Sequence, residues 1–347
     1  MPPTFPVNTT AAHRLLIATL LLLPAACASY EPAPLDPEAA RQAWLVRSPD
    51  DEGVREFARR LAAAHHPSQE FNAADGITLA EAEAIGLVFN RELRVVRRGA
   101  GVAQATADFA GLWDDPVLGI EIERIVQSVP NPWIVGAAIG ITIPISGRVE
   151  ALQRRADEAL RAELDAIASR EWSHRATIRR RWMEWSAQRL REELLRELVR
   201  EVDAVAISAQ RLEAAGVLAR VDARLFQVEL AGRRAELLLV EAEGRELELL
   251  LRDALGLAPE APVEFVPQVV LEPATDPTSA REAWLKRNPA LRAMRSHYAV
   301  AEAALELEVR RQSPDITIGP GYKEDQGDGR VLLGISLPLP LWNRNQQ

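Results

Sequence analysis

The sequence predicts a mainly helical protein that also carries β-hairpins of the membrane type: one long coiled-coil hairpin and four strands in a chain of 347 residues. Three observations point there. First, one module occurs twice. Asn90-Arg91-Glu92-Leu93-Arg94 aligns with Asn288-Pro289-Ala290-Leu291-Arg292, Asp115-Pro116 with Ser313-Pro314, and Ile141-Thr142-Ile143-Pro144-Ile145 with Ile335-Ser336-Leu337-Pro338-Leu339. Each copy reads helix, two alternating strands, then a proline that ends the second strand, so the repeat is a whole structural unit and not a solenoid turn. Second, a helical run on the order of 100 residues separates the copies, with apolar residues at coiled-coil spacing. Third, aromatics make up 5% while Ala, Leu, Glu and Arg dominate, the profile of long helices.

In chain order, residues 1–27 read as a signal segment. His13-Arg14 precede an apolar run from Leu15 to Leu23, and Ala25-Ala26-Cys27-Ala28 follow, which is the order of n-region, h-region and cleavage site. Cys27 is the sole cysteine, so no disulfide forms within the chain. The pattern resembles a bacterial lipobox, in which Cys27 becomes a diacylated amino terminus, although Pro24 stands where that motif prefers Leu. Cleavage after Ala28 at an A-x-A site is the alternative. Residues 28–74 then form a tether and equatorial segment, held extended from Tyr30 to Pro37 by its prolines.

Residues 75–257 are the first repeat: a helix from about Leu79 to Trp113, a β-hairpin over 117–144, and a long helical hairpin over 148–255. In the strands Leu118, Ile120 and Ile122 alternate with Gly119, Glu121 and Glu123, and Val135, Ala137, Ile139 and Ile141 with Gly136, Ala138, Gly140 and Thr142. Strands of about nine residues with one aliphatic and one small or polar face have the length and pattern of membrane strands. A soluble sheet packed on a helix uses the same alternation; the length of the helices favours the membrane reading. Trp133 and Tyr322 sit where an interfacial aromatic girdle places such rings, and Ser128 to Pro132 and Glu324 to Gly329 read as exposed hairpin loops.

The first arm of the helical hairpin runs from about Arg148 to Ala214 and the second from about Val221 to Leu255, around a turn at Gly216. Val221, Leu225, Val228, Gly232, Ala235, Leu239 and Ala242 predict a seam on the second arm, and Leu194, Leu198, Val202, Val205, Ala209 and Leu212 one on the first. The helix before the strands and the second arm, stacked end to end, match the length of the first arm. Residues 258–278 form an equatorial linker. Residues 279–347 are a second repeat of helix and β-hairpin 315–339; by symmetry a second helical hairpin of about 100 residues would follow Gln347, so the chain is expected to be truncated.

Composition and charge exclude several functions. A net charge of −9 gives no support for nucleic-acid binding, and Arg179-Arg180-Arg181 reads as a solvated helix face. The five histidines include the adjacent pair His65-His66, which no cysteine or carboxylate cluster joins, so no metal site is expected. No catalytic constellation and no cofactor motif is present; the expectation is a protein that is not an enzyme.

The repeat, the order strand, Pro, long helix, and the segment Leu337-Pro338-Leu339-Pro340-Leu341-Trp342-Asn343-Arg344-Asn345-Gln346 resemble TolC-type outer-membrane efflux proteins, in the lipoprotein and cation- or multidrug-efflux branch. The tip from Ala215-Gly216 to Leu225 and the run from Glu229-Leu230-Ala231 to Leu255-Gly256-Leu257 are similar to that family too, and the likeness covers about residues 75–347. It implies a homotrimer whose twelve strands close a barrel above a periplasmic helical tunnel, lipid-anchored in the outer membrane of a Gram-negative bacterium. Physics agrees, because four strands cannot close a barrel and an open edge is not tolerated in lipid. The resemblance further implies a passive exit duct served by an inner-membrane pump and a periplasmic adaptor. Glu121, Glu123, Thr142 and Lys323 are then expected to face the lumen, and Gly216, Arg220 and Asp222 to form the periplasmic tip. Glu121 and Glu123 either favour cations or are simply the wet face of a barrel; Arg220 and Asp222 either take part in closure or docking, or cap the second arm. The competing readings are a periplasmic adaptor, which would need lipoyl-like half-motifs flanking the hairpin, and a coiled-coil scaffold without a barrel.

Overall fold

A computed structural model describes residues 32, 34–65, 71–127, 129–269 and 277–341. The signal segment, Cys27, His66, Ser128 and residues 342–347 lie outside them. The chain divides into two units, residues 1–44 and 45–347. The described part of the first is essentially α1 (Pro37–Leu45), where the Asp36 carboxylate accepts from the backbone N–H of Glu38 and Ala39 at 3.0 Å each, an N-cap on the positive helix end.

The larger unit begins with α2 (Glu52–His65), a 3-10 turn over Ala73–Asp75, and α3 (Leu79–Phe89). Thr78 and Glu81 close a capping box on α3: the Glu81 carboxylate accepts from Thr78 N at 2.9 Å and Thr78 Oγ1 from Glu81 N at 3.5 Å. The helix expected from Leu79 to Trp113 is in fact two, broken at Asn90, with α4 (Arg91–Asp108) as the second. Asn90 leaves helical geometry (ψ 123°) and its side chain accepts from Leu93 N at 2.9 Å. An asparagine is worth more capping a new helix than continuing an old one. The repeat uses the same device: Asn288 accepts from Ala290 N at 2.9 Å, with Pro289 in the first turn, between α7 (Pro277–Arg287) and α8 (Pro289–Arg310).

Two strands follow α4, β1 (Val117–Arg124) and β2 (Trp133–Ile143), and two follow α8, β3 (Ile316–Asp325) and β4 (Asp328–Ser336). They form one antiparallel sheet in the order β1-β2-β3-β4, so the two copies of the repeat join at β2 and β3. The loop expected at Glu324–Gly329 is only a two-residue turn. Pairing runs on to Asp325 opposite Asp328, and Gln326 and Gly327 both take positive φ, which matches strand twist in a tight hairpin.

The long arm is α5 (Arg148–Ala214), 67 residues and about 100 Å at 1.5 Å per residue. Its first half lies beside α4 and α8, tied by Arg97–Glu171 at 2.6 Å and by Asp165, which accepts from Arg292 at 2.7 Å and Ser296 at 2.5 Å. Its second half lies beside α6 (Arg220–Leu255), tied by Arg234–Asp203 at 2.8 Å and Arg196–Glu241 at 3.0 Å. Three shorter helices thus share one long spine.

The core sits where these halves meet. Trp182, Trp185 and Phe265 pack edge to face at 5.6–5.8 Å among Ile77, Ile85, Ile178, Leu251, Leu255 and Leu257. The linker is fastened here by backbone bonds, Ile77 N to Glu264 O at 2.8 Å and Val266 N to Ile77 O at 3.0 Å. Gly256 ends α6 at φ 72°, where a Cβ would lie 2.8 Å from the Phe89 carbonyl oxygen. Arg179, on the helix face expected to be solvated, is 51% exposed and also serves as an ion-pair partner. Arg179 donates to Glu83, whose side chain is 8% exposed, and Arg175 joins it with bonds of 2.8 and 2.6 Å. A carboxylate that deep requires cationic partners, and one turn of α5 supplies both.

Candidate functional site: a two-faced sheet on a helical hairpin

The sheet register sorts its side chains onto two faces, because directly opposed residues of an antiparallel ladder point the same way. One face carries Leu118, Ile120, Ile122, Val135, Ala137, Ile139, Ile141, Ile318, Tyr322, Val331, Leu333 and Ile335, with Pro320 among them and Glu324 beside the hairpin turn. Apart from the half-buried Ile318, its large aliphatic side chains are open, from 39% exposed at Ile141 to 87% at Val331. Among the described residues no helix covers this face, unlike a soluble sheet packed on a helix. The edges are open among the described residues as well: β1 pairs only with β2, and β4 only with β3.

The opposite face is mostly small and polar, with Val117, Ile134 and Leu332 as its large apolar members. Nearest the helices is a hydroxyl row, Thr142, Thr317 and Ser336, with the two threonine oxygens 3.0 Å apart. Beyond it come Gly140, Gly319 and Gly334, then Gly119, Ala138 and Gly321. Towards the hairpin turns the face becomes charged. Glu121, Gly136, Lys323 and Arg330 form one row, and Glu123, Asp325 and Asp328 belong to the next. Lys323 Nζ donates to Glu123 at 2.7 Å and Arg330 lies 3.0 Å from Asp325. The register therefore brings Glu121, Glu123, Thr142 and Lys323 to one face. Trp133 and Tyr322 lie on the aliphatic face, Trp133 under the Arg124 guanidinium at 5.5 Å.

A clamp holds the sheet on the spine. Asp315, immediately before β3, accepts from Ile145 N at 3.0 Å, Ser146 N at 3.1 Å and Arg148 Nε, while Arg148 also reaches Asp114 at 2.5 Å. These bonds tie the end of β2 and the start of α5 to β3. Sequence reading did not single out this group, since its members lie far apart in the chain.

On the helical hairpin the expected seams require correction. The face of α6 turned towards α5 carries Ala223, Leu230, Val240, Gly244, Leu251 and Leu255. The predicted stripe is open: Val221 is 72%, Val228 71% and Leu239 68% exposed. On α5 the buried stripe is Leu195, Ala206 and Ala209, with Val202 half-buried, whereas Leu194 is 68% exposed. Each arm carries two adjacent apolar stripes, and spacing alone cannot say which meets the partner arm. Of the predicted positions, only Ala209 is buried, and Val202 partly so.

The tip joins the arms through Gly216, whose φ of 73° suits a residue without Cβ; Val217 N reaches back to Leu212 O at 2.9 Å. Arg220 pairs with Glu213 at 3.2 Å across the turn, and Asp222 lies in the first turn of α6, where a negative charge suits the helix dipole.

His174 was passed over in the sequence. It is half-buried on α5 beside α3 and α4, with Nδ1 3.4 Å from Asn90 Nδ2 and a shielded Nε2 without a hydrogen-bond partner. Burial lowers its pKa from the ordinary 6.5, against the nearby backbone of Ala254 and Gly86 and the Glu92 charge, which raise it. Among the described residues, no group of three or more His, Cys, Asp or Glu is placed to hold a metal ion, and no helix is long and apolar enough to cross a membrane.

No family model matches the chain. A stretch of 141 residues, 40% of the chain, is 26% identical to the cobalt-zinc-cadmium resistance protein CzcC of Cupriavidus metallidurans, and spans only 34% of that relative. Among solved structures, the outer-membrane channel OprN aligns with a TM-score of 0.60 and 18% identity over 91% of this chain and 73% of that one. CusC, described in connection with transmembrane channel formation, aligns at 0.58 and 14% over 92% and 75%. The CmeC outer membrane channel of Campylobacter jejuni aligns at 0.59 and 12% over 92% and 71%. At these identities the likeness establishes the fold: this chain has the architecture of outer-membrane channels, long helices bearing a four-stranded membrane-type sheet.

Proposed function

We propose that this chain is the outer-membrane channel component of a tripartite efflux system, a passive exit duct for cargo delivered by an inner-membrane pump through a periplasmic adaptor. One observation carries the reading: a four-stranded sheet with an open aliphatic face and two free edges stands on a helical spine about 100 Å long. Such a sheet is stable in lipid only when its edges are closed. Three copies would pair β4 of each with β1 of the next and close twelve strands, wide enough for an aqueous lumen. The aliphatic face then meets acyl chains and the small, polar face lines the lumen with Glu121, Glu123, Thr142 and Lys323.

The hairpin turns face the exterior, and α5 and α6 descend into the periplasm with Gly216, Arg220 and Asp222 at the tip, where an adaptor docks. Cys27 carries the lipid anchor, and the domain limits follow the repeat, 75–257 and 279–347. Divalent metal cations are the cargo that the CzcC similarity supports, and the pump supplies the energy. The test combines fractionation with electrophysiology. The full-length protein should stay in outer membranes through high-salt and carbonate washes, run as a trimer in mild detergent, and conduct ions in planar bilayers. Release of a monomer by salt would instead identify a peripheral scaffold.

A further inference from the structure

The charged end of the polar face contains one contact that the strand order does not require. Lys323 belongs to β3, yet its ammonium bonds Glu123 on β1 at 2.7 Å and lies 3.9 Å from Glu121 on the same strand. Between them runs β2, and at the crossing point stands Gly136, paired directly with both Glu121 and Lys323. The lysine stem lies over this glycine: a Cβ there would sit 3.4 Å from Lys323 Cγ, and Gly136 itself is buried. A Cβ at that distance is in ordinary contact with the lysine stem, so the stem packs directly on the strand at a position of β2 that offers it no side chain. The arrangement leaves Lys323 with 22% side-chain exposure, while Glu121 remains 73% exposed.

On this face four carboxylates, Glu121, Glu123, Asp325 and Asp328, stand against two cations, Lys323 and Arg330, leaving two net negative charges per chain. Arg330 is engaged by Asp325. Lys323 therefore sets how much of the β1 carboxylate charge reaches the lumen.

We propose that Lys323, laid across Gly136 onto Glu123, is a selectivity-setting residue of the duct: it holds the outer end of the lumen at a moderate negative charge, and its neutralisation raises the duct's preference for cations. The proposal rests on the duct reading. In an aqueous lumen such charges act over a Debye length of about 10 Å at 0.1 M salt and about 3 Å at 1 M, so the effect is confined to low salt.

The test is the reversal potential of full-length protein, purified from outer membranes, in planar bilayers under a KCl gradient. K323Q should raise the cation-to-anion permeability ratio on the order of twofold at about 0.1 M and leave it unchanged near 1 M. K323R, which keeps the charge, should match the parent, and E121Q/E123Q should abolish the cation preference. Conductance with the same ratio in K323Q and E121Q/E123Q overturns the proposal while leaving the duct standing. No conductance from the parent protein overturns the duct, and the proposal with it.

Discussion

Glu83 shows how a single residue can govern a junction. It sits on the apolar helix α3, and its buried carboxylate is met by Arg175 and Arg179 from α5. Replacing it with Gln keeps the shape and leaves two guanidiniums without their counter-charge. Both arginines are partly exposed, so water recovers part of the loss; a destabilisation of about 1–3 kcal/mol follows, read as a lower thermal midpoint in detergent. An unchanged midpoint would show that the triad is ornamental. His174 adds a pH signature at the same level of the spine. Burial lowers its folded pKa below 6.5, so the unfolded chain takes up the proton first. Stability is complete above the ordinary histidine value and is lost as pH falls from there through the folded value. The difference in thermal midpoint between wild type and H174Q should therefore shift against the wild type on going from pH 7 to 5; parallel curves would refute the assignment. Neither residue was legible in the sequence. An isolated Glu or His carries no local mark of burial, and their partners lie far along the chain, about 80–95 positions from them.

At the scale of elements, legibility followed locality. The strands were readable because period-two alternation is a property of neighbouring residues, and it assigned Glu121, Glu123, Thr142 and Lys323 to one face before any register was known. Their bridge over Gly136 was not readable, since it depends on how three strands align. The break at Asn90 was hidden inside a helical pattern, although Asn288 at the matching place, followed by Pro289, held the clue. The coiled-coil seams were misplaced because each arm has two apolar stripes. That doubling is itself testable. Leu230 is buried between the arms, so Leu230→Glu should cost about 2–4 kcal/mol of hairpin stability by helical circular dichroism. Leu239 is 68% exposed in the single chain. Leu239→Glu should change hairpin stability by no more than about 0.5 kcal/mol, yet reduce the trimer fraction on size-exclusion chromatography. Equal effects on stability would mean that the two stripes have been confused again.

For the whole molecule, one long spine connects a sheet with an open aliphatic face to a helical hairpin with an open apolar stripe. In the proposed duct, lipid covers the first and neighbouring copies the second. The central claim is that the aliphatic face of the sheet meets lipid and the small face meets water. Nitroxide scanning along β2 in reconstituted bilayers tests it most directly, comparing collisions with oxygen, which concentrates in lipid, and with a water-soluble nickel chelate. The account predicts opposite phases with a period of two: Val135, Ala137, Ile139 and Ile141 accessible to oxygen, and Gly136, Ala138, Gly140 and Thr142 to nickel. If both probes rise and fall together, or nickel reaches the aliphatic face, the sheet does not line a membrane channel.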